Sequence, residues 1–328
     1  MILRNSLALA IAGPLALAAV LVTLPAVPAT AQTGMEEVQD EGSAYRAWHQ
    51  ASQASDNTRA MEAAKAYLAK YPTGQYAPFL TNWLPTAKMA ALDAALREKR
   101  TTDAIAVGRE ILAGDAENLN VLSPLAFGIR REMAAGNHEH AADGVEFAKK
   151  AIALIEAGRT PANVPTFNKN ATLAGLTHIL ALNAQKTASP EEAIKLYEQS
   201  SAIVPQGPLV APNLLAIYNL RLASYGEAAK ALKAFPDADK AAPEPKPEVK
   251  AALDRISRES DTLIDCGAAF VAFTTAKNLV PTTRESVNQT VTAVYKSRHP
   301  EDATLAGLQK LLQEKAAALG LTPAAPGN

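Results

Sequence analysis

The chain is poorest in cysteine and in aromatic residues. A single cysteine, Cys266, among 328 residues permits no internal disulfide, so the small stapled scaffolds of secreted proteins are excluded and a packed core must hold the fold. Aromatics make up only 5% of the residues, and no run alternates apolar and polar residues as a half-buried strand does. A β-sandwich is thereby excluded. Nor is there an excess of charge of one sign: 32 Lys and Arg against 33 Asp and Glu leave −1. That balance excludes a polybasic nucleic-acid binder or a basic membrane surface. G-x-S-x-G, G-x-x-x-x-G-K-S/T, H-E-x-x-H and G-x-G-x-x-G do not occur. No catalytic, cofactor-binding or metal residue is assigned, and the chain is read as a non-enzyme.

The N-terminus carries an address. Arg4 is followed by an apolar run from Leu7 to Leu24, broken by Gly13-Pro14, and then by the small-x-small site Ala29-Thr30-Ala31. This is the layout of a secretory signal peptide over residues 1–31, cleaved after Ala31, and it implies a periplasmic or secreted mature chain without a stable membrane span. An uncleaved anchor is the alternative, because the run is nearly long enough to span a bilayer. No cysteine follows it, so lipid attachment is not supported. The segment's only charge is Arg4, which leaves the mature chain near −2.

What is abundant is helical pattern. The clearest stretch is Ser189 to Pro205, S-P-E-E-A-I-K-L-Y-E-Q-S-S-A-I-V-P. Ser189 suits an N-cap, Pro190 the first helical position and Glu192 the third, which together form a capping box. Ala193, Leu196, Tyr197, Ser200 and Ile203 then recur at three- and four-residue steps on one face. The order closely resembles the second helix of a tetratricopeptide repeat, in which a small residue, an aromatic four positions on and a closing proline recur. Thr101 to Asn118 is a second close copy. There Thr101-Thr102-Asp103 is the expected cap, Ala104 stands in the place of Ala193, and Ala116 replaces the loop proline. A-K-A-Y-L-A-K-Y-P before Gly74 and L-A-I-Y-N-L-R-L-A-S-Y-G-E-A from Leu215 resemble further repeats.

The resemblance covers residues 43–235 and implies an all-α solenoid of antiparallel helix pairs. The pairs are expected around Ala63, Ala104, Ala141, Ala193 and Ala228, at steps of 41, 37, 52 and 35, against a family period of about 34 residues. The uneven steps require longer loops, the clearest from Gly158 to Asn168. In the fifth pair the first helix runs from Asn213 to Leu222 and the second from Tyr225 to Phe235. Residues 236–248, P-D-A-D-K-A-A-P-E-P-K-P-E, read as a semi-rigid proline-rich linker. Beyond it, residues 249–320 hold four amphipathic segments, read as a C-terminal helical capping bundle that shields the last apolar face.

A stack of this kind presents the first helix of each pair along a concave face that accepts an extended peptide or a partner helix. By their place in those helices the resemblance assigns Asp93, Arg97, His178, Gln185, Asn213 and Arg221 to the protein-binding groove. For each of them an ordinary solvated helix face is the alternative, and for His178 a partly buried, hydrogen-bonded side chain is preferred. His138-Glu139-His140 has metal-ligand residue types without a third and fourth ligand, in a Gly-Asn turn where polar residues are expected. Cys266 reads as a small buried side chain rather than a reactive thiol. The expected function is an exported scaffold or adaptor for a protein or peptide partner in cell-envelope assembly or maintenance. The alternative is a glycan- or peptidoglycan-binding helical repeat, which needs exposed aromatic platforms.

Overall fold

A computed structural model describes residues 29–321 apart from Asn163, with side chains from residue 40 onward. The expected targeting segment lies outside the described residues except for Ala29 to Ala31, which open the first helix. Among the described residues every regular element is an α-helix, thirteen in all. The fold is all-α, and no described helix is long and apolar enough to cross a membrane. The chain divides into two compact units, one ending at Asn82 and the other beginning at Trp83.

The first unit holds α1 (Ala29–Gln53), α2 (Asn57–Lys70) and the opening of α3 (Ala77–Arg97). Asp56 caps α2 by accepting the amide of Arg59 at 3.0 Å. Tyr71-Pro72 ends it, because proline cannot continue the hydrogen-bond ladder. Ala60, Met61, Ala64 and Tyr67 fall on one face and are buried. Trp48 of α1 and Leu80 of α3 are buried in the same unit. Polar tips close the seam: the Tyr71 hydroxyl donates to Asp40 at 2.9 Å, and the Tyr67 hydroxyl donates to Glu41.

The second unit begins with the remainder of α3. It continues through α4 (Thr101–Leu112), α5 (Leu119–Ala134), α6 (Ala141–Glu156), α7 (Lys169–Thr187) and α8 (Pro190–Ile203) to α9 (Val210–Lys233). Local capping explains several starts. Asn118, Asn168 and Ser189 accept the amides of Asn120, Ala171 and Glu192 at 3.1, 2.9 and 3.2 Å, each satisfying one of the orphan donors of a first turn. Thr101 is not the cap expected of it. Arg100 holds that position without a side-chain bond that caps the helix, while Thr101 is buried and donates to Glu132 of α5. Successive helices pack as neighbours: α4 on α5, α5 on α6, α6 on α7, α7 on α8, α8 on α9. In addition α5 touches α7 directly. One apolar core, with Leu92, Leu122, Leu125, Ile129, Phe147 and Ile179 among its members, runs from α3 to α7.

Two expected breaks are absent. The turn expected between Leu222 and Tyr225 lies inside α9, which runs unbroken to Lys233. The C-terminal segments form three helices rather than four, because α11 (Pro247–Ala276) is continuous, followed by α12 (Pro281–Arg298) and α13 (Ala306–Ala318). The reason is long-range packing. Helix α11 lies along α9, and Gly267 lets them approach: a Cβ there falls 3.2 Å from the Tyr218 ring and inside contact distance of Val291. Tyr218 therefore shares a core with Leu263, Phe270, Val287, Val291 and Leu308. Residues 236–248 bridge the two long helices and include one helical turn, α10 (Asp237–Lys240), entered through Pro236.

Candidate functional site

The six residues assigned to a groove fall into separate places in the second unit. His178 and Asn213 are buried, at 6% and 0% exposure, and bond to each other across α7 and α9. His178 Nδ1 lies 2.6 Å from Asn213 Oδ1. Asn213 Nδ2 donates to the hydroxyls of Ser200 and Ser201 on α8 at 3.1 and 3.0 Å, and the Ser200 hydroxyl in turn donates to the Ala174 carbonyl at 2.9 Å. Because the Asn213 amide nitrogen is committed to the serines, its oxygen accepts, and Nδ1 of His178 carries the hydrogen. Burial draws the His178 imidazole down to about 4, helped by the charge of Arg130 and opposed by the bond to Asn213. The imidazole is therefore neutral at pH 7, with its ring edge-on to Tyr197 at 5.6 Å. This network joins three helices inside the packing. Gln185 stands outside it, exposed, and accepts the Tyr197 hydroxyl at 2.6 Å. Arg221 is half-buried and reaches Glu191 at 3.5 Å.

Asp93 and Arg97 lie one turn apart on α3, both exposed, and Arg97 Nε donates to the Asp93 carbonyl at 3.3 Å. They border an open depression of about 670 Å³ whose other wall is α5, with Pro124, Phe127, Arg130 and Arg131. Gly128 of α5 faces α3: the tip of the Leu96 side chain lies 2.8 Å from where a Cβ would stand. Arg131 pins the same crossing by donating to the Leu96 carbonyl at 3.0 Å. Arg130 lies over the Phe127 ring at 5.5 Å. Burial and the neighbouring Arg131 hold its guanidinium below its ordinary value.

Phe127, Gly128, Arg130 and Arg131 were not singled out from the sequence. The available signal was the pair Arg130-Arg131, the only adjacent arginines in the chain, placed in the first helix of an expected pair. The aromatic residues of the first unit form a second surface feature. Tyr45 stacks on Tyr76 with ring centres 3.7 Å apart, and Phe79 meets Trp48 edge-on at 5.2 Å while remaining 50% exposed.

The two histidines of the α5–α6 turn differ: among the described residues the buried Nδ1 of His138 has no hydrogen-bond partner. His140 Nε2 faces the Thr102 hydroxyl at 3.1 Å. Among the described residues no group of three or more His, Cys, Asp or Glu side chains is arranged to hold a metal ion. Compared with models of known families, with curated proteins and with solved structures, the chain finds no match.

Proposed function

We propose that this chain is an exported scaffold of tetratricopeptide-like helix pairs that acts by binding a protein segment rather than by catalysis. In this reading the signal peptide delivers it to the periplasm or the medium. Within the second unit the helix pairs up to α9 form a solenoid, and α11 to α13 cap its end. The observation that carries it is the direct contact of α5 with α7 beside the crossing of α3 on α5. On this reading alternate helices line one side of the unit, and the open depression lined by Asp93, Arg97 and Phe127 is part of that side. A shallow face lined with charged and aromatic side chains suits an extended polypeptide better than a small substrate, which needs enclosure. The test is co-purification: the tagged full chain is incubated with cell-envelope extract, cross-linked and recovered. At least one protein should be enriched over a charge-matched control, and recovery of none refutes the scaffold.

A second reading, glycan binding, has one observation in its favour, the half-exposed Phe79 beside the Tyr45–Tyr76 stack. Aromatic faces can hold sugar rings through apolar contact. Sedimentation with purified peptidoglycan tests it. Retention that is lost in Phe79→Ala supports this reading, and no retention removes it.

A further inference from the structure

The arginines of the second unit are not treated alike. Arg100, Arg109, Arg159 and Arg298, all well exposed, each have a carboxylate oxygen within reach, with contacts at 2.8, 2.5, 2.8 and 2.9 Å. Arg130 is the more buried side chain and has none. Among the described residues its guanidinium meets no carboxylate and no hydrogen-bond acceptor, and its company is the Phe127 ring and the like charge of Arg131. A guanidinium carries five donors in a fixed fork. Half-burying it beside a second cation, with no anion to compensate, carries a desolvation cost that water at the opening relieves only in part. The cost is offset if the anion arrives with a ligand.

The surroundings say which ligand. Arg97 and Arg131 border the same depression, so three guanidinium groups serve one opening. The single carboxylate on the rim, Asp93, forms no ion pair with any of them among the described residues, although its carbonyl is bonded to Arg97. Between the charges lie Leu96, Pro124 and Phe127, an apolar floor. The opening is too shallow to enclose a small anion, and the charges are spread across two helices. Carboxylates at intervals with apolar side chains between them match that spacing, since an arginine fork takes a carboxylate with two parallel bonds.

We propose that the depression between α3 and α5 is a docking site for an acidic segment of a partner polypeptide. Its carboxylates pair with Arg130, Arg131 and Arg97, and its apolar side chains rest on Phe127 and Pro124. This rests on the scaffold reading above and names the chemistry of its partner.

The test uses the full chain and a fluorescein-labelled peptide of repeating Glu-Leu-Glu-Ala, followed by anisotropy, with a Lys-for-Glu peptide as control. The acidic peptide should bind and weaken with salt, and the basic one should not bind. Arg130→Met should weaken binding about tenfold or more, while its thermal midpoint stays level or rises because an uncompensated charge is gone. Arg97→Gln, an exposed change that leaves the crossing intact, should also weaken binding. The proposal is overturned by equal binding of both peptides, by unaltered binding in both variants, or by full displacement with inorganic phosphate, which marks a simple anion site. A partner from the extract that is still retained by Arg130→Met removes this inference and leaves the scaffold standing. Peptide binding that depends on Arg130, with no extract partner, removes the scaffold and keeps the site.

Discussion

Asn213 is the residue whose loss should be felt most widely, because its side chain makes three hydrogen bonds that tie α9 to both α7 and α8. Replacing it with leucine keeps the volume and creates no cavity, so the cost is polar. The bonds to Ser200 and Ser201 at 3.1 and 3.0 Å and the bond from His178 at 2.6 Å are all lost. Each contributes about 1 kcal/mol net, and the stranded imidazole N–H adds a desolvation cost of about 1–3 kcal/mol. Ser200 keeps its own acceptor, the Ala174 carbonyl, so its share is small. The expected destabilisation of Asn213→Leu is about 3–5 kcal/mol, a large part of the about 5–15 kcal/mol that holds a domain together. Urea unfolding followed by circular dichroism at pH 7 measures it. A loss below about 0.5 kcal/mol refutes the reasoning, since that is the range of an unremarkable surface change. The same network has a pH signature. His178 titrates near 4 in the folded chain against an ordinary 6.5, so between those values the unfolded chain binds more protons. Stability then falls as pH drops from 6.5 towards 4, by about 1.4 kcal/mol per pH unit at most and about 3 kcal/mol in all. In His178→Phe that slope should be shallower, whatever the variant's absolute stability. An identical slope in both proteins shows that the imidazole is not buried neutral.

Other consequences are local. Gly226 lies inside α9 with open space where a Cβ would go, so Gly226→Ala should stabilise by about 0.5–1 kcal/mol. Gly267→Ala should cost about 1–3 kcal/mol by driving a methyl against Val291 and Tyr218. Paired thermal melts check both, and a gain at each position contradicts the close α9–α11 contact. Burial, with Asp265 nearby, raises the Cys266 thiol to about 12 from an ordinary 9.0. At pH 8 the folded chain should therefore hold about a thousandfold less thiolate than an exposed cysteine and resist iodoacetamide until urea unfolds it. Labelling of the native chain at the unfolded rate refutes that placement.

Where local chemistry dictates structure, the sequence was legible. Ser189 and Pro190 announce α8, and Tyr71-Pro72 stops α2, because a cap or a missing N–H acts within a few residues. The all-α class follows from the same apolar periodicity. The continuity of α9 was not legible. Ser224-Tyr225-Gly226 has the composition of a repeat turn, and a glycine weakens a helix by only about 1 kcal/mol, which the packing of α11 outweighs. The pairing partner lies tens of residues away, and Gly267 shows its purpose only beside Tyr218. The starts of α12 and α13 were obscure for another reason. Val280 and Leu305 precede them with φ of 37° and 60°, left-handed positions usually left to glycine or asparagine. Of the residues assigned by the tetratricopeptide resemblance, Asp93 and Arg97 border the depression, while His178 and Asn213 are buried. Family position could not separate the first two from the second, since which face of a first helix is covered depends on where the next pair lands. The isolation of Arg130 is of the same kind: a missing partner is a property of space, not of order along the chain.

Arg130 also ties the two sites together. Its charge is one of the reasons that the His178 imidazole titrates low, although one group faces the open depression and the other lies inside the packing. Electrostatic coupling across a few residues of protein needs no conformational change. Removing the guanidinium in Arg130→Met takes away a like charge and should move the His178 midpoint up from about 4 towards 6.5. Burial, the larger cause, remains, so the rise should be only part of that distance. A carboxylate docked on Arg130 should act in the same direction by cancelling its field. Nuclear magnetic resonance titration of the His178 ring, in the wild type with and without the acidic peptide and in Arg130→Met, reads the shift directly. A midpoint unmoved in Arg130→Met breaks the link between the guanidinium and the imidazole. A midpoint moved by the variant and not by the peptide places the peptide away from Arg130.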